Sequence, residues 1–409
     1  MSDIPSEVFH NIFCRVPAES LFLVRGVCKS WRQIIDDPDF IKSHIKSYHQ
    51  SSSTTSLGQL LIRNENGGRL SSLSLDSLNF DYGNQTIEAT PVKNLIRPGL
   101  PRLTPLPIAS CNGLILITHS NVNKIWVLWN PLTQEFYELP EYDCPDLRFE
   151  ACGLGYDCAD DDYKVVRIDR MYHSQNSVYK TLVYSLKYDS WKWINDCPVN
   201  VSGRSQGIYL NGVLYWMSWD CIIALDFSTE DYRQLPLPSV GSEQRTYSDV
   251  NLDVLGGCLV VSCKHKTKRF DGWVMKENGG NISWTKLFSF PNLHDIGYMG
   301  HLRPITYSKS NRHVLVQHNN DFFWLDTDSN TAKKIQIHGL SRSFSCQVWQ
   351  GSLFRLENIV GGDEGIGAKR TGRVKEMRAK KRLHGRPPIL AIKEDTTICK
   401  RLKLDMTIT

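Results

Sequence analysis

Three features are missing from this sequence of 409 residues, and each absence argues against a class of protein. No run of 18 or more apolar residues occurs, so the sequence predicts no transmembrane helix. The first residues, MSDIPSEVFH, lack a basic region followed by an apolar stretch, so we predict no signal peptide. The 12 cysteines form no CxxC pair and match no zinc ligand spacing. We therefore expect reduced thiols, no cofactor, no membrane contact, and a cytoplasmic or nuclear location.

Motifs of catalysis are also missing. The sequence contains no HExxH, no GxSxG and no GxxxxGK[ST]. Asp160, Asp161 and Asp162 could suggest a metal site, but the glycine and closing glutamate of a calcium loop do not follow. We interpret these three residues as a solvated turn between strands. The sequence predicts a protein that is not an enzyme.

The excess of positive charge belongs to one end of the chain. The net charge is +5, but residues 363–409 hold 13 Lys and Arg against 6 Asp and Glu. The rest of the chain keeps 35 basic against 37 acidic residues, so it is close to neutral. This distribution does not support nucleic-acid binding by the chain as a whole.

Residues 3–48 have the pattern of short amphipathic helices. Apolar residues recur at helical spacing in Val8, Phe9, Ile12, Phe13 and Val16. Pro17 should end this helix and begin the next, and Asp37-Pro38 is a second stop signal. These helices carry more apolar surface than about 45 residues can bury among themselves, so we expect a partner protein.

After a polar linker at 50–56, short β-rich runs alternate with turn residues. An Asn-Gly or Gly-Gly turn precedes an apolar run at 110–117, 209–216 and 254–261. A strand, polar turn and second strand recur at 127–140, 183–194, 223–238 and 323–337. The units are spaced like the blades of a propeller, which favours a β-propeller over a sandwich. Most tryptophans should lie in the blade cores, although one at the mouth could anchor a substrate.

Residues 361–409 have no apolar periodicity, and we predict a mostly disordered basic tail. Two basic clusters in it approximate a bipartite nuclear signal: Lys369, Arg370, Lys380, Lys381 and Arg382. A solvated or phosphate-binding tail explains them equally well.

Residues 4–41 resemble an F-box. The matching features are Ile4-Pro5, Glu7, Val16-Pro17 and the run Val27-Cys28-Lys29-Ser30-Trp31-Arg32; Ile4 stands where leucine is commoner. Residues 57–360 resemble the kelch-related F-box-associated region of plant F-box proteins, including defence-associated and self-incompatibility-locus members. Segments 109–117, 127–140, 153–168, 183–194 and 212–217 carry that likeness.

The resemblance implies a multidomain α plus all-β protein with an F-box at 1–49, a linker at 50–56, a β-propeller-like substrate domain at 57–360 and a tail at 361–409. It implies that the F-box docks to a Skp-family adaptor of a cullin ubiquitin ligase, while the second domain holds a protein substrate. The adaptor-binding residues would be Ile4, Pro5, Val8, Ile12, Val16, Pro17, Leu21, Val24, Cys28 and Trp31. About half of these could instead hold the F-box helices together.

Two alternatives stay open: a nucleic-acid-associated scaffold using the basic tail, and a propeller enzyme with a helical appendage. We further expect the helices and the β-domain to have distinct cores, so that residues 1–49 alone bind the adaptor.

Overall fold

The computed structural model of the chain describes residues 6–50, 57–65, 69–78, 87–92, 105–119, 122–142, 147–172, 177–201, 205–239, 250–265, 269–278, 280–290, 302–329, 331–340, 343–356 and 371–373. Four helices come first: α1 (Ser6–Phe13), α2 (Ala18–Val24), α3 (Lys29–Asp36) and α4 (Pro38–Gln50). Pro17 lies at the N-cap of α2, as predicted. The Asp37 carboxylate accepts the backbone N–H of Phe40 at 2.9 Å, so this residue ends α3 and caps α4.

Strands make up most of the remaining described residues. In chain order they are β1 (Gln59–Asn64), β2 (Leu70–Ser74), β3 (Ile87–Glu88), β4 (Thr90–Pro91), β5 (Pro105–Cys111), β6 (Leu114–His119), β7 (Val122–Asn130), β8 (Glu135–Glu138), β9 (Leu147–Asp157), β10 (Asp162–Tyr172), β11 (Ser177–Ser185), β12 (Ser190–Trp193), β13 (Ser205–Gln206) and β14 (Ile208–Leu210). They continue as β15 (Val213–Met217), β16 (Cys221–Asp226), β17 (Tyr232–Pro236), β18 (Val250–Leu255), β19 (Cys258–Lys264), β20 (Phe270–Asn278), β21 (Asn281–Phe290), β22 (Leu302–Tyr307), β23 (His313–His318), β24 (Asp321–Asp326), β25 (Ala332–Ile335), β26 (Ile337–His338), β27 (Phe344–Trp349) and β28 (Thr371–Arg373).

Within the described part of the chain these strands form a six-bladed propeller. Blades 2 to 6 contain the strands β5, β9, β14, β18 and β22 near the centre, and each continues outward through three further antiparallel strands. In blade 3 the short strand β13 also pairs with β9, in parallel and on the side away from β10. Blade 1 has the order β27-β1-β2-β4, so its inner strand comes from the C-terminal end of the domain. β27 pairs with β1 from Gln59↔Trp349 to Asn64↔Phe344, and this pairing closes the ring.

The repeated turns of the sequence occupy equivalent places in different blades. Asn112-Gly113, Asn211-Gly212 and Gly256-Gly257 each join the first two strands of a blade, and all six residues have positive φ. This is the geometry of a two-residue hairpin turn, which asparagine and glycine adopt at little cost. The second repeat corresponds to the third and fourth strands of blades 2, 3, 4 and 6.

A separate apolar cluster fills each space between neighbouring blades. Six tryptophans are buried in or beside these clusters: Trp126, Trp129, Trp216, Trp273, Trp324 and Trp349. Because each blade buries its faces only against two neighbours, the ring is stable as a whole and not blade by blade.

The inner strands run toward the helices. β9 ends at a turn that contacts α4 through Asp161, and β27 continues into residues 351–356, which contact the helices. β2 runs parallel to β27, because both pair antiparallel with β1. Asp76 follows the end of β2, and Lys309 follows the end of β22. Their side chains lie 3.0 Å apart, so β22 also runs toward the helices. We call the opposite side of the propeller the far face; its turns include residues 217–221 and 318–321.

One short strand falls in the segment predicted to be a tail. β28 pairs with β8, from Thr371↔Tyr137 to Arg373↔Glu135, and adds a fifth strand to blade 2. The proposed nuclear-signal residues lie outside the described residues, as does the rest of 361–409. The ten cysteines of the described part carry no disulfide, and five of them are buried.

Candidate functional site

The α1 helix has two faces of opposite character. Val8 and Ile12, four residues apart, are 43% and 51% exposed, although both are large and apolar. Phe13 is buried, and its ring lies 5.8 Å from that of Phe9 on the inner side. The inner aromatics hold the helical unit together, whereas Val8 and Ile12 form an apolar stripe on the surface of α1.

A second exposed apolar surface lies at the end of α2. Leu23 is 78% exposed and Val27 is 65% exposed, whereas Leu21 is fully buried in the core of the helical unit. Leu21 and Leu23 are separated by about 200° around the helix axis, which explains their opposite environments. The predicted adaptor-binding set contains Leu21 and omits Leu23 and Val27. The Val27-to-Arg32 motif could have identified Val27, but no sequence signal distinguished Leu23.

Trp31 and Cys28 belong to the start of α3. The Cys28 thiol is exposed and accepts the backbone N–H of Trp31 at 3.4 Å, so it acts as a weak helix cap. The Trp31 ring lies 5.3 Å from Phe13 and 6.0 Å from Phe9. Trp31 therefore supports the inner aromatic cluster and keeps part of its surface accessible.

The other predicted residues of this set are less exposed. Val16 and Val24 are half-buried against the core of the helical unit, and Pro17 is half-buried at the N-cap of α2. Ile4 and Pro5 lie outside the described residues.

The core of the helical unit is completed by a residue from the other end of the domain. Leu353 is buried among Phe13, Leu21 and Ile35, and Phe354 packs at the edge of the same cluster. The expectation that the helices and the β-domain have distinct cores is therefore wrong. Four short helices carry more apolar surface than they can bury among themselves, and part of that surface is buried against this segment.

Residues 351–356, which we call the strap, run along the base of blade 2. The Asn130 amide donates to the carbonyls of Ser352 and Phe354 at 2.9 and 2.8 Å. The backbone N–H of Leu356 donates to the buried Glu135 carboxylate at 2.9 Å. At Gly113, φ is 82° and an added Cβ would collide with Ser352. The hairpin turn of blade 2 is thus also the surface on which the strap lies.

Arg355 connects the strap to both neighbours. Its Nε lies 3.1 Å from Glu135 of blade 2, and its Nη1 lies 3.9 Å from Asp36 at the end of α3. Asp36 also receives two hydrogen bonds from Arg25. Partial burial alone would raise the pKa of Asp36, but the hydrogen bonds and charge of Arg25, together with Arg355 and Arg32, outweigh it and lower that pKa.

A second contact joins α4 to blade 3. Lys42 forms an ion pair with Asp161, which also accepts the Tyr156 hydroxyl. Partial burial would raise the pKa of Asp161, but the hydrogen bonds from Lys42 and Tyr156 hold it below its usual value. With the strap, this contact supports the helical unit at two places on the propeller.

The turn at Asp160–Asp162 is only partly solvated. Asp160 and Asp161 are exposed, as expected, but Asp162 is buried and accepts hydrogen bonds from Ser185 at 2.6 Å and from the backbone of Lys187 at 2.8 Å. The interpretation as a solvated turn is therefore wrong for Asp162. These bonds hold the β11–β12 turn against the start of β10. No group of three or more potential metal ligands was found among the described residues.

Family comparison agrees with the geometry of both units. Residues 1–43 match the F-box domain, and residues 68–350 match the F-box associated beta propeller domain. The chain belongs to the F-box protein family. The F-box match covers α1 to α3 and the start of α4, and the propeller match begins before β2 and includes β27.

Relatives in Arabidopsis thaliana are also F-box proteins. F-box protein CPR1 is 28% identical over 86% of this chain and 89% of its own length. The F-box/kelch-repeat protein At3g23880 is 32% identical over 72% of this chain and 81% of its own length. This pairing of an F-box with a propeller supports a role as a substrate-recognition adaptor, and the relatives suggest a non-catalytic one.

Solved structures offer only distant likenesses. An oligogalacturonate lyase in complex with manganese has 9% identity and a TM-score of 0.39 over 69% of this chain and 80% of its own. The Dos1 propeller has 10% identity and a TM-score of 0.34 over 70% of this chain and 68% of its own. Neither likeness is large enough to support an argument.

The F-box protein also exposes aromatic residues away from its F-box. Tyr172, at the end of β10, and Trp219, in the β15–β16 turn, are 54% and 63% exposed on the far face. Trp193 is exposed on the outer edge of blade 3. Among the described helices, none has the length and apolar character needed to cross a membrane.

Proposed function

We propose that this F-box protein is the substrate-recognition subunit of a Skp-cullin-F-box ubiquitin ligase. One observation carries the proposal: Val8, Ile12, Leu23 and Val27 are large, apolar and exposed on an F-box of four short helices. Such a surface is costly in water, and burial against a partner protein removes that cost. The partner that an F-box implies is a Skp-family adaptor.

In this proposal the ten sequence-predicted contact residues have unequal roles. Val8 and Ile12 touch the adaptor, and Leu23 and Val27 join them. Leu21 instead supports this surface from inside the F-box core. Trp31 and the other described residues of the predicted set contribute the parts of their side chains that are exposed at the margin of this surface.

The propeller would hold the protein substrate, and the ligase would act by proximity. A substrate held on a fixed platform has a high effective concentration of lysines near a conjugating enzyme bound elsewhere in the complex. No catalytic group on this chain is required. A cytoplasmic or nuclear location follows from that role.

The docking surface is tested by placing two carboxylates on it. We expect Val8→Asp combined with Ile12→Asp to weaken adaptor binding by at least about 30-fold, because burying a charged group without a partner costs several kcal/mol. The measurement is the dissociation constant for a purified Skp-family adaptor, obtained by calorimetry on the full chain.

The matched control is Leu287→Asp, which changes an exposed apolar residue on blade 5. It should leave adaptor affinity unchanged, and circular dichroism should verify that all variants remain folded. Adaptor binding by the double variant within threefold of the unmodified chain would show that this surface is not the docking site.

A further inference from the structure

A compact cluster of charged residues lies at the end of blade 5 on the far face. β18 runs in the same direction as β22, because near their starts the Asn251 side chain donates to the Leu302 carbonyl at 3.0 Å. β19 runs back from the F-box side, so Lys264 at its end lies on the far face. The cluster is therefore opposite the F-box, on a side that adaptor docking leaves accessible.

Asp271 is the centre of this cluster. Its carboxylate is fully buried, and Oδ2 lies 3.1 Å from His265 Nε2, 3.0 Å from Arg269 Nε and 3.2 Å from Lys286 Nζ. Its other oxygen accepts the Ser289 hydroxyl at 2.6 Å. We call these five residues the Asp271 cluster.

The cluster holds more positive charge than its carboxylate requires. Arg269 and Lys286 are two full cations opposite the single anion of Asp271. Burial lowers the pKa of His265, so with this histidine neutral the excess is one positive charge. Asp321 at the neighbouring turn does not offset it, since it pairs with Lys334 at 2.8 Å.

The geometry also leaves donors available. Arg269 uses Nε toward Asp271, and its two terminal nitrogens have no partner in the described part of the chain. Arg269 and Lys286 are 44% and 46% exposed, although the carboxylate that anchors them is buried. When a buried aspartate holds an arginine through Nε, the terminal nitrogens of the guanidinium can still bind a second anion. Such a fork matches the two oxygens of a carboxylate or the oxygens of a phosphate.

We propose that the Asp271 cluster is an anion-binding site for an acidic segment of the captured protein. This inference rests on the proposed role of the propeller as the substrate-holding domain. The bound group is a carboxylate or phosphate on a peptide, held by the Arg269 terminal nitrogens and by Lys286. Charge complementarity supports this occupant: the excess charge of the site is positive, and its donors are fixed before binding, which reduces the entropy lost on association.

The site is tested by fluorescence anisotropy on the full chain, both with and without a Skp-family adaptor. The probes are labelled octapeptides of glutamate, of glutamine, and of glutamate with a central phosphoserine. We expect the two acidic peptides to bind more tightly than the glutamine peptide. Arg269→Gln combined with Lys286→Gln should weaken acidic-peptide binding by about tenfold or more, because charged hydrogen bonds are lost.

Two further variants separate the site from general charge effects. Arg269→Lys keeps the charge but loses the two-nitrogen fork, so its affinity should be intermediate. Arg233→Gln combined with Lys192→Gln removes the same charge from equally exposed ion pairs elsewhere, with Glu277 and Glu230. This control should bind the acidic peptides as the unmodified chain does, and any contribution of the basic tail is common to all variants.

The outcomes distinguish the possible ligands. Tighter binding of the phosphopeptide identifies phosphorylated partners, and equal binding identifies partners with acidic side chains; both support the site. Acidic-peptide affinity that is unchanged in the double variant and in Arg269→Lys overturns it. The proposal is also overturned if substitutions in the cluster weaken binding of a single-stranded DNA 12-mer but do not weaken binding of the acidic peptides. Adaptor co-purification is scored in the same samples, so failure of the docking proposal is separately visible.

Discussion

The F-box core depends on Leu353, a side chain from the C-terminal end of the propeller sequence. This leucine is buried with Phe13 and Leu21 in the F-box core, and it follows the strand that closes the propeller. Leu356, three residues later, is equally buried but belongs to the cluster between blades 2 and 3. Two leucines on one strap thus stabilise two different units.

This difference gives a prediction with an internal control. Leu353→Ala should destabilise the F-box by about 2–5 kcal/mol, since it removes a buried leucine from a small core. Limited proteolysis should then cut within residues 6–50 sooner. Leu356→Ala should affect the propeller instead. Equal protection of the F-box in both variants would contradict the assignment of Leu353 to its core.

His44 makes F-box stability depend on pH. It is buried in α4, and its Nε2 lies 2.8 Å from the carbonyl of Val16. Burial lowers the pKa of His44, more than the hydrogen bond to Val16 raises it. The unfolded chain therefore binds a proton more readily than the folded one, so stability is lost as pH falls below about 6.5.

The corresponding prediction compares two chains. The difference in melting temperature between the unmodified chain and His44→Gln should be larger at pH 7.5 than at pH 5.5. Protonation of His44 in the unfolded state lowers the stability of the unmodified chain at pH 5.5, whereas glutamine does not titrate. Differential scanning fluorimetry at both pH values measures it. A difference that stays constant with pH would show that His44 does not titrate during unfolding.

At the scale of elements, the strap depends on the turn after β7. Asn130 is fully buried and donates to two strap carbonyls, while its side-chain oxygen accepts the backbone N–H of Leu132 at 2.9 Å. Asparagine is suited to this place because it both donates and accepts. Aspartate has the same shape but cannot donate, and it would place a negative charge against two carbonyl oxygens.

We therefore expect Asn130→Asp to release the strap and to weaken adaptor binding, with Asn130→Ala having a smaller effect. The expected loss of stability is about 2–4 kcal/mol, from two broken hydrogen bonds and a buried charge. Hydrogen exchange of residues 351–356 checks the strap directly. Unchanged exchange there would show that other contacts hold it.

Elements set by local chemistry could be predicted from sequence, and those set by distant contacts could not. Pro17 and Asp37-Pro38 mark helix boundaries, and Asn-Gly turns mark hairpins, because backbone preferences at those residues decide the structure. Leu353 and β28 gave no such signal, because their positions are set by contacts with distant parts of the chain and not by the residues next to them in the sequence. The exposure of Leu23 and the burial of Asp162 were missed for the same reason: each depends on what packs against the element.

At the scale of the whole molecule, pairing of β1 with β27 makes the propeller a closed ring. Blade 1 shares one apolar cluster with blade 6 and another with blade 2, so loss of its inner strand exposes both clusters. A chain that ends before Phe344 would lack the inner strand of blade 1 and the strap.

We expect such a chain to lose cooperative unfolding of the propeller, not merely blade 1. Its tryptophan fluorescence should change over a broad temperature range, whereas the full chain should show one sharp transition. A truncated chain with an equally sharp transition at a similar temperature would mean that five blades are stable without closure.

Completion of the F-box core by the strap also has a consequence for the order of synthesis. The four helices leave the ribosome first, but Leu353 is made roughly 300 residues later, about 15–60 s at ordinary rates of translation. During that interval a nascent chain has an F-box without its last core residue. A receptor whose synthesis stops early would thus carry a loosened docking surface, and the ligase would be assembled mainly with chains that have already closed their propeller.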